Sequence, residues 1–230
     1  MFKVIWAVLF LVVGSAAVLA DVSQDCVTEK RIEADERISA CDETIKRAPK
    51  YVKAYMIRGE AYEAKGDNEL ALRDYNEAVK LEPTDWEVFN SRGTFYFHQR
   101  QYERAAGDYG VAARLNPNQP IPWLNRCKIN TIRGRLNAAL WDCNTSLNLT
   151  TIPEALQLRG IIYLKMGRFE RAILDFDRAM KLFPNSAQTL YARGIAKLKK
   201  GDKAVGDADI AAATAMKADV TTEFAIYDVR

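Results

Sequence analysis

The sequence predicts an all-α solenoid of antiparallel helix pairs, and three observations predict it. The stretch 52–85, VKAYMIRGEAYEAKGDNELALRDYNEAVKLEPTD, restates itself up and down the chain with a period of 34 residues. Gly59 recurs as Gly93 and, two repeats further on, as Gly160 and Gly194, while Pro49, Pro83 and Pro117 keep the same spacing. Within the period the apolar and small residues fall at helical intervals. A fixed period of this length marks stacked helical repeats, in which no unit buries its apolar face alone.

The unit explains itself chemically. Tyr55, Gly59 and Tyr62 lie at i, i+4 and i+7 and share one face of a first helix. Gly66-Asp67 ends that helix with turn chemistry. Leu70, Ala71, Tyr75, Ala78 and Val79 form the apolar stripe of a second helix, which Pro83 stops. Small residues at Gly59, Ala71 and Ala78 allow close approach of the two backbones, with Tyr55, Tyr62 and Tyr75 filling the space around them. Tyr55-x2-Arg58-Gly59-x2-Tyr62, then Ala71-x3-Tyr75 and Pro83, resembles the tetratricopeptide repeat. It departs at Arg58, where that family usually has Leu. The resemblance implies a right-handed superhelical solenoid of antiparallel helix pairs.

In chain order, residues 1–20 read as a signal peptide. Lys3 is the positive start, 4–13 the apolar core, and Val18-Leu19-Ala20 the cleavage site. The apolar run is short of the roughly 20 residues of a membrane span, and no basic stop follows. The chain is therefore expected to be exported, periplasmic or secreted, with no integral span after removal of the segment. Lys3 is the only charge within it, which leaves 32 Lys+Arg against 30 Asp+Glu. That balance argues against nucleic acid as partner. Residues 21–230 are expected to form one solenoid domain. It comprises a degenerate repeat at 21–51, repeats at 52–85, 86–119, 120–152, 153–186 and 187–218, and a capping helix at 219–230. Val220, Phe224 and Tyr227 share one face of that last helix. The GDKAVGDADIAAA run, with the signal segment, resembles uncharacterised exported repeat proteins of Gram-negative bacteria.

An ion pair is written into five units. Arg58, Arg92, Arg126, Arg159 and Arg193 occupy one slot, and sixteen residues later stand Asp74, Asp108, Asp142, Asp175 and Asp209. A planar guanidinium can grip a carboxylate through two hydrogen bonds, so these residues are expected to pin helix to helix within a unit or between neighbours. The alternative is an anion site in a ligand groove. Four cysteines in an exported chain permit disulfides. Cys26 and Cys41 fall on the two helices of the first unit, while Cys127 and Cys143 replace a Gly and its facing aromatic in the fourth. Cys26–Cys41 and Cys127–Cys143 are the expected bridges; free buried thiols are the alternative.

Enzymatic chemistry is not expected. His98 is the only histidine, its neighbours form no catalytic motif, and the glycines follow the repeat and form no phosphate loop. No cofactor and no metal are expected.

In the resembled family the concave wall, built from first helices, holds peptides or helices of partner proteins. Carrying those slots over gives Met56, Glu60 and Glu63, then Asn90, Thr94, Phe97 and His98. Later units supply Leu124, Lys128, Thr131 and Ile132, then Gln157, Ile161, Leu164 and Lys165, and finally Tyr191, Ile195, Leu198 and Lys199. The first half of this wall is acidic and polar, the second apolar with lysines around it. The expected role is an adaptor binding an amphipathic or extended segment of another protein. The alternative is a structural module that self-associates through the same apolar face, or a wall covered by the capping helix.

Overall fold

The computed structural model describes Cys26, Val27 and residues 33–229; the expected signal peptide lies outside them. Among the described residues there are twelve α-helices and no strand. They group into two compact units that divide between Gln99 and Arg100.

The first unit holds α1 (Ala34–Arg47), α2 (Val52–Lys65), α3 (Asn68–Leu81) and α4 (Trp86–His98). Each packs on the next, and α4 also reaches back to α2, so first helices lie side by side. Val52, Ala78 and Val88 form one buried cluster; Ala71, Tyr75 and Phe95 form another, with the Tyr75 and Phe95 rings 5.5 Å apart. Gly66 closes α2 with φ 85, donating its N–H to Glu63 while Asp67 donates to Tyr62. Only glycine takes that backbone without strain. At the corresponding turn 34 residues later, Arg100 adopts φ 56, a left-handed conformation that is uncommon for a residue with a Cβ.

The second unit holds α5 (Tyr102–Leu115), α6 (Pro120–Ile132), α7 (Leu136–Leu149), α8 (Pro153–Lys165), α9 (Phe169–Leu182), α10 (Ala187–Lys200), α11 (Lys203–Met216) and α12 (Val220–Phe224), followed by a 3-10 turn, Ala225–Tyr227. Successive helices pack in antiparallel pairs, and α6, α8 and α10 are neighbours along one side. Pro120 and Pro153 start α6 and α8 at positions whose N–H has no helical partner. Ser186 caps α10 by accepting from the Thr189 N–H at 3.2 Å. Gly160 sits where α8 crosses α9: a Cβ there would lie 2.5 Å from the Phe176 ring. In the preceding pair Cys127 and Cys143 take the same two positions and are bonded, with Cα atoms 5.3 Å apart. Cys26 and Cys41 are bonded in the first unit.

The repeated arginines hold these pairs in register. Arg58 donates from Nε and Nη2 to the two Asp74 oxygens at 2.7 Å each. Arg159 grips Asp175 at 2.7 and 2.8 Å, and Arg193 grips Asp209 at 2.7 and 2.9 Å. Arg126 does the same to Asp142, which also accepts from Asn130. Asp74, Asp142 and Asp175 are almost fully buried. The hydrogen bonds to Asp74, Asp175 and Asp209 raise the Arg58, Arg159 and Arg193 guanidinium groups above their ordinary value despite burial. The remaining nitrogen of each fork turns to the preceding second helix. Arg58 Nη1 meets Asp42 at 2.5 Å, Arg92 meets Asn76 at 2.9 Å, Arg159 meets Asn144 at 2.8 Å and Arg193 meets Asp177 at 2.8 Å. The ladder thus joins helices within a pair and between pairs. Arg92 and Asp108 stand on opposite sides of the division into two units.

One rung differs. The position facing Arg126 is Gly110, which offers no side-chain acceptor, and Arg126 lies 4.8 Å from the Trp123 ring centroid. A Cβ on Gly110 would sit 3.5 Å from the nearest guanidinium nitrogen, an ordinary contact. Gly110→Asn is therefore expected to stabilise the chain by about 1 kcal/mol, from helix propensity and one added acceptor. Thermal unfolding checks this; an unchanged or lower midpoint would count against the added rung.

Candidate partner-binding face

The first helices present the residues expected on the binding wall, and the two units treat them differently. In the first unit, Glu60 is exposed on α2 and Met56 is half-buried against the Val52–Ala78–Val88 cluster. Glu63 accepts from the Tyr75 hydroxyl at 3.4 Å and lies 2.8 Å from His98 Nδ1. Burial, with Glu60 and Glu63 adding to it, pushes the Tyr75 phenol well above its ordinary value, so it stays a neutral donor. His98 is exposed beside Glu63, while Asn90 and Phe97 are half-buried on α4.

The second unit departs from an open wall. Leu124, Ile161 and Leu164, expected to face a partner, are buried, with Ile161 fully inaccessible. Ile132, Tyr191 and Ile195 pack half-buried against the same cluster. The physical reason is that the cluster also holds Phe224 and Tyr227. The segment after α11 begins as an end cover, with Val220 buried against Leu190 of α10 and Ala213 of α11. It then runs on along the first-helix side, so that α12 packs on α10 and the 3-10 turn reaches α6. Phe224 meets Tyr191 edge to face, with ring centroids 5.3 Å apart, and Tyr227 follows at 5.6 Å from Phe224. Burial drives the Tyr227 phenol above its usual range, which leaves it neutral.

Polar groups finish the contact. Lys165 Nζ donates to the Tyr227 carbonyl and, at 3.3 Å, to that of Asp228. Gln188 donates to Glu223 at 2.9 Å, and Lys217 pairs with the same carboxylate at 2.5 Å. Those two hydrogen bonds hold the Glu223 carboxyl below its ordinary value. Gln157 lies 3.4 Å from Gln188, Lys128 pairs with Glu154 at 2.9 Å, and Lys199 is exposed. Leu198 lies against Gly206 of α11. Clefts of about 450 and 410 Å³ flank the segment, one between Lys165, Lys199 and Val229, the other between Lys128, Gln157, Gln188 and Tyr227.

Two sets of residues escaped the sequence reading. The second acceptors of the ladder, Asp42, Asn76, Asn144 and Asp177, do carry a signal: Asp74-Tyr75-Asn76, Asp142-Cys143-Asn144 and Asp175-Phe176-Asp177 repeat an Asp-x-Asn/Asp pattern. Gln188 and Glu223 carry none, because they lie 35 residues apart and Glu223 falls outside the repeats.

Among the described residues no group of His, Cys, Asp and Glu is arranged to hold a metal ion, and no helix is long and apolar enough to cross a membrane. Family models described as "Tetratricopeptide repeat" match residues 38–85, 58–120 and 153–186, together just over half of the chain. The human protein "Tetratricopeptide repeat protein 6" is 25% identical over 165 residues; the match covers 70% of this chain and 32% of that one. The chain thus spans about a third of that curated relative. The solved structure of Pseudomonas aeruginosa PilF superposes with a TM-score of 0.79 at 16% identity, covering 92% of this chain and 98% of that one. YrrB, described as "a TPR protein with an unusual peptide-binding site", superposes with a TM-score of 0.63 at 17% identity, covering 79% and 94%. At such identities the likeness is one of fold.

Proposed function

The chain belongs to the tetratricopeptide repeat family, and on that premise we propose that it is an exported, non-catalytic scaffold that binds a segment of another protein along its first helices. One observation carries the reading: in the second unit, the side formed by α6, α8 and α10 already accommodates a short helical segment through aromatic anchors and backbone carbonyls. Repeat architecture requires the glycines, alanines and Arg–Asp forks. It does not require Gln157, Lys165, Tyr191 or Lys199, which gather on this side. YrrB, whose description reports a peptide-binding site, supports the assignment by analogy of fold. Export is supported by the two bonded cysteine pairs and by the apolar start of the sequence.

The test is capture from an extract of the source's exported fraction by residues 21–230. One variant reverses charge on first helices of the second unit, Lys128→Glu with Lys199→Glu. A control reverses it on second helices, Lys80→Glu with Lys203→Glu. A protein retained by the parent and the control and lost by the first variant is the expected result. Equal capture by all three would overturn the proposal, as would a first-helix variant that alters self-association alone.

A further inference from the structure

We propose that residues 220–229 are an internal ligand, and that the partner displacing them offers the same chemistry: two aromatic side chains three residues apart, with an acidic residue just before the first. This rests on the scaffold reading and specifies its partner.

The argument starts from how little of the segment is committed. Val220, Phe224 and Tyr227 are buried, while Thr221, Thr222, Ala225, Ile226 and Asp228 are exposed. A five-residue helix and one 3-10 turn have no stability of their own. Their conformation therefore depends on the surface beneath, as a bound peptide's does. The contacts are also of a peptide-binding kind. Lys165 addresses main-chain carbonyls, which any sequence supplies, and the two rings and Glu223 supply the selectivity. The lysines and Gln188 around the site suit an acidic segment. Clefts lined by Lys165, Lys199 and Val229 and by Lys128, Gln157, Gln188 and Tyr227 lie beside the segment, so it does not fill the surface around it.

A tethered ligand acts at an effective concentration of order millimolar, so an external segment is opposed without being excluded. Its apparent affinity falls by the fraction of chains in which the resident segment has lifted off. Weakening the resident segment must therefore strengthen binding of an added copy.

The probe is a fluorescent synthetic peptide of residues 217–229, followed by anisotropy against the chain 21–230. A Phe224→Ala/Tyr227→Ala chain is expected to bind it at least tenfold more tightly than the unsubstituted chain. Adding Lys165→Glu should abolish that binding, and a peptide lacking both aromatics should not bind. Glu223→Ala, a surface change, gives a smaller increase in the same direction and serves where the double variant loses helicity. A folded double variant, or failing that a folded Glu223→Ala chain, that binds the peptide no better than the parent overturns the inference. That outcome leaves the capture experiment untouched. Peptide binding without any first-helix-dependent capture would instead count against the scaffold reading.

Discussion

An Asp175→Ala chain is expected to unfold with about 3 kcal/mol less stability than the parent, the cost of leaving a buried charge without its partner. Asp175 is 2% exposed and takes both parallel bonds of the Arg159 fork. Removing it leaves Arg159 with Asn144 as its remaining acceptor. The attraction itself is not worth that much, since desolvation offsets most of it. The loss comes from stranding the guanidinium. A second substitution, Arg159→Met, should therefore restore a large part of the stability in the Asp175→Ala background. Urea unfolding decides. A denaturation midpoint equal to the parent's would remove the ladder from any account of stability, and a double variant worse than the single one would contradict the explanation by stranded charge.

Gly160→Ala is expected to cost about 2 kcal/mol net, although alanine is the better helix former by roughly 1 kcal/mol. The added methyl would meet the Phe176 ring at 2.5 Å, and that ring is fully buried, so α8 and α9 must part. Gly59→Ala is the control: the methyl there lies 3.3 Å from the Tyr75 ring, and a shift of a few tenths of an ångström accommodates it. The two changes should differ clearly in thermal midpoint. If they behave alike, close approach of the backbones is not what selects glycine. Phe176→Leu in the Gly160→Ala background should recover part of the loss by making room.

The repeat was legible because its chemistry is local. Tyr55, Gly59 and Tyr62 declare a helix face, Gly66 declares its end, and the 34-residue period, shortened by one residue in the fourth unit, then places the later pairs. The Arg and Asp slots were legible for the same reason. The second acceptors were readable only in retrospect, since Asn76 and Asn144 look like ordinary exposed residues until an arginine from the next pair is seen to reach them. The open wall was misjudged at Leu124, Ile161 and Leu164, which are buried. Slot position says which side a residue faces, whereas what lies over that side depends on where residues 217–229 travel. The spacing of Val220, Phe224 and Tyr227 fixes a face of that segment and carries no information about its route. Arg100 is a smaller lesson of this kind: the turn persists there without the glycine that marks it at Gly66.

Because Arg58, Arg159 and Arg193 each touch their own carboxylate and a side chain one pair earlier, the array has a grammar for changing length. Copying or excising a stretch of one full period leaves a junction with a fork on one side and an acceptor on the other, except at Gly110, which offers Arg126 none. Inserting a single residue within a helix would turn all that follows by roughly 100° about the helix axis and carry the arginine off its partner. Such an array tolerates the gain or loss of whole repeats and resists insertion of single residues within its helices.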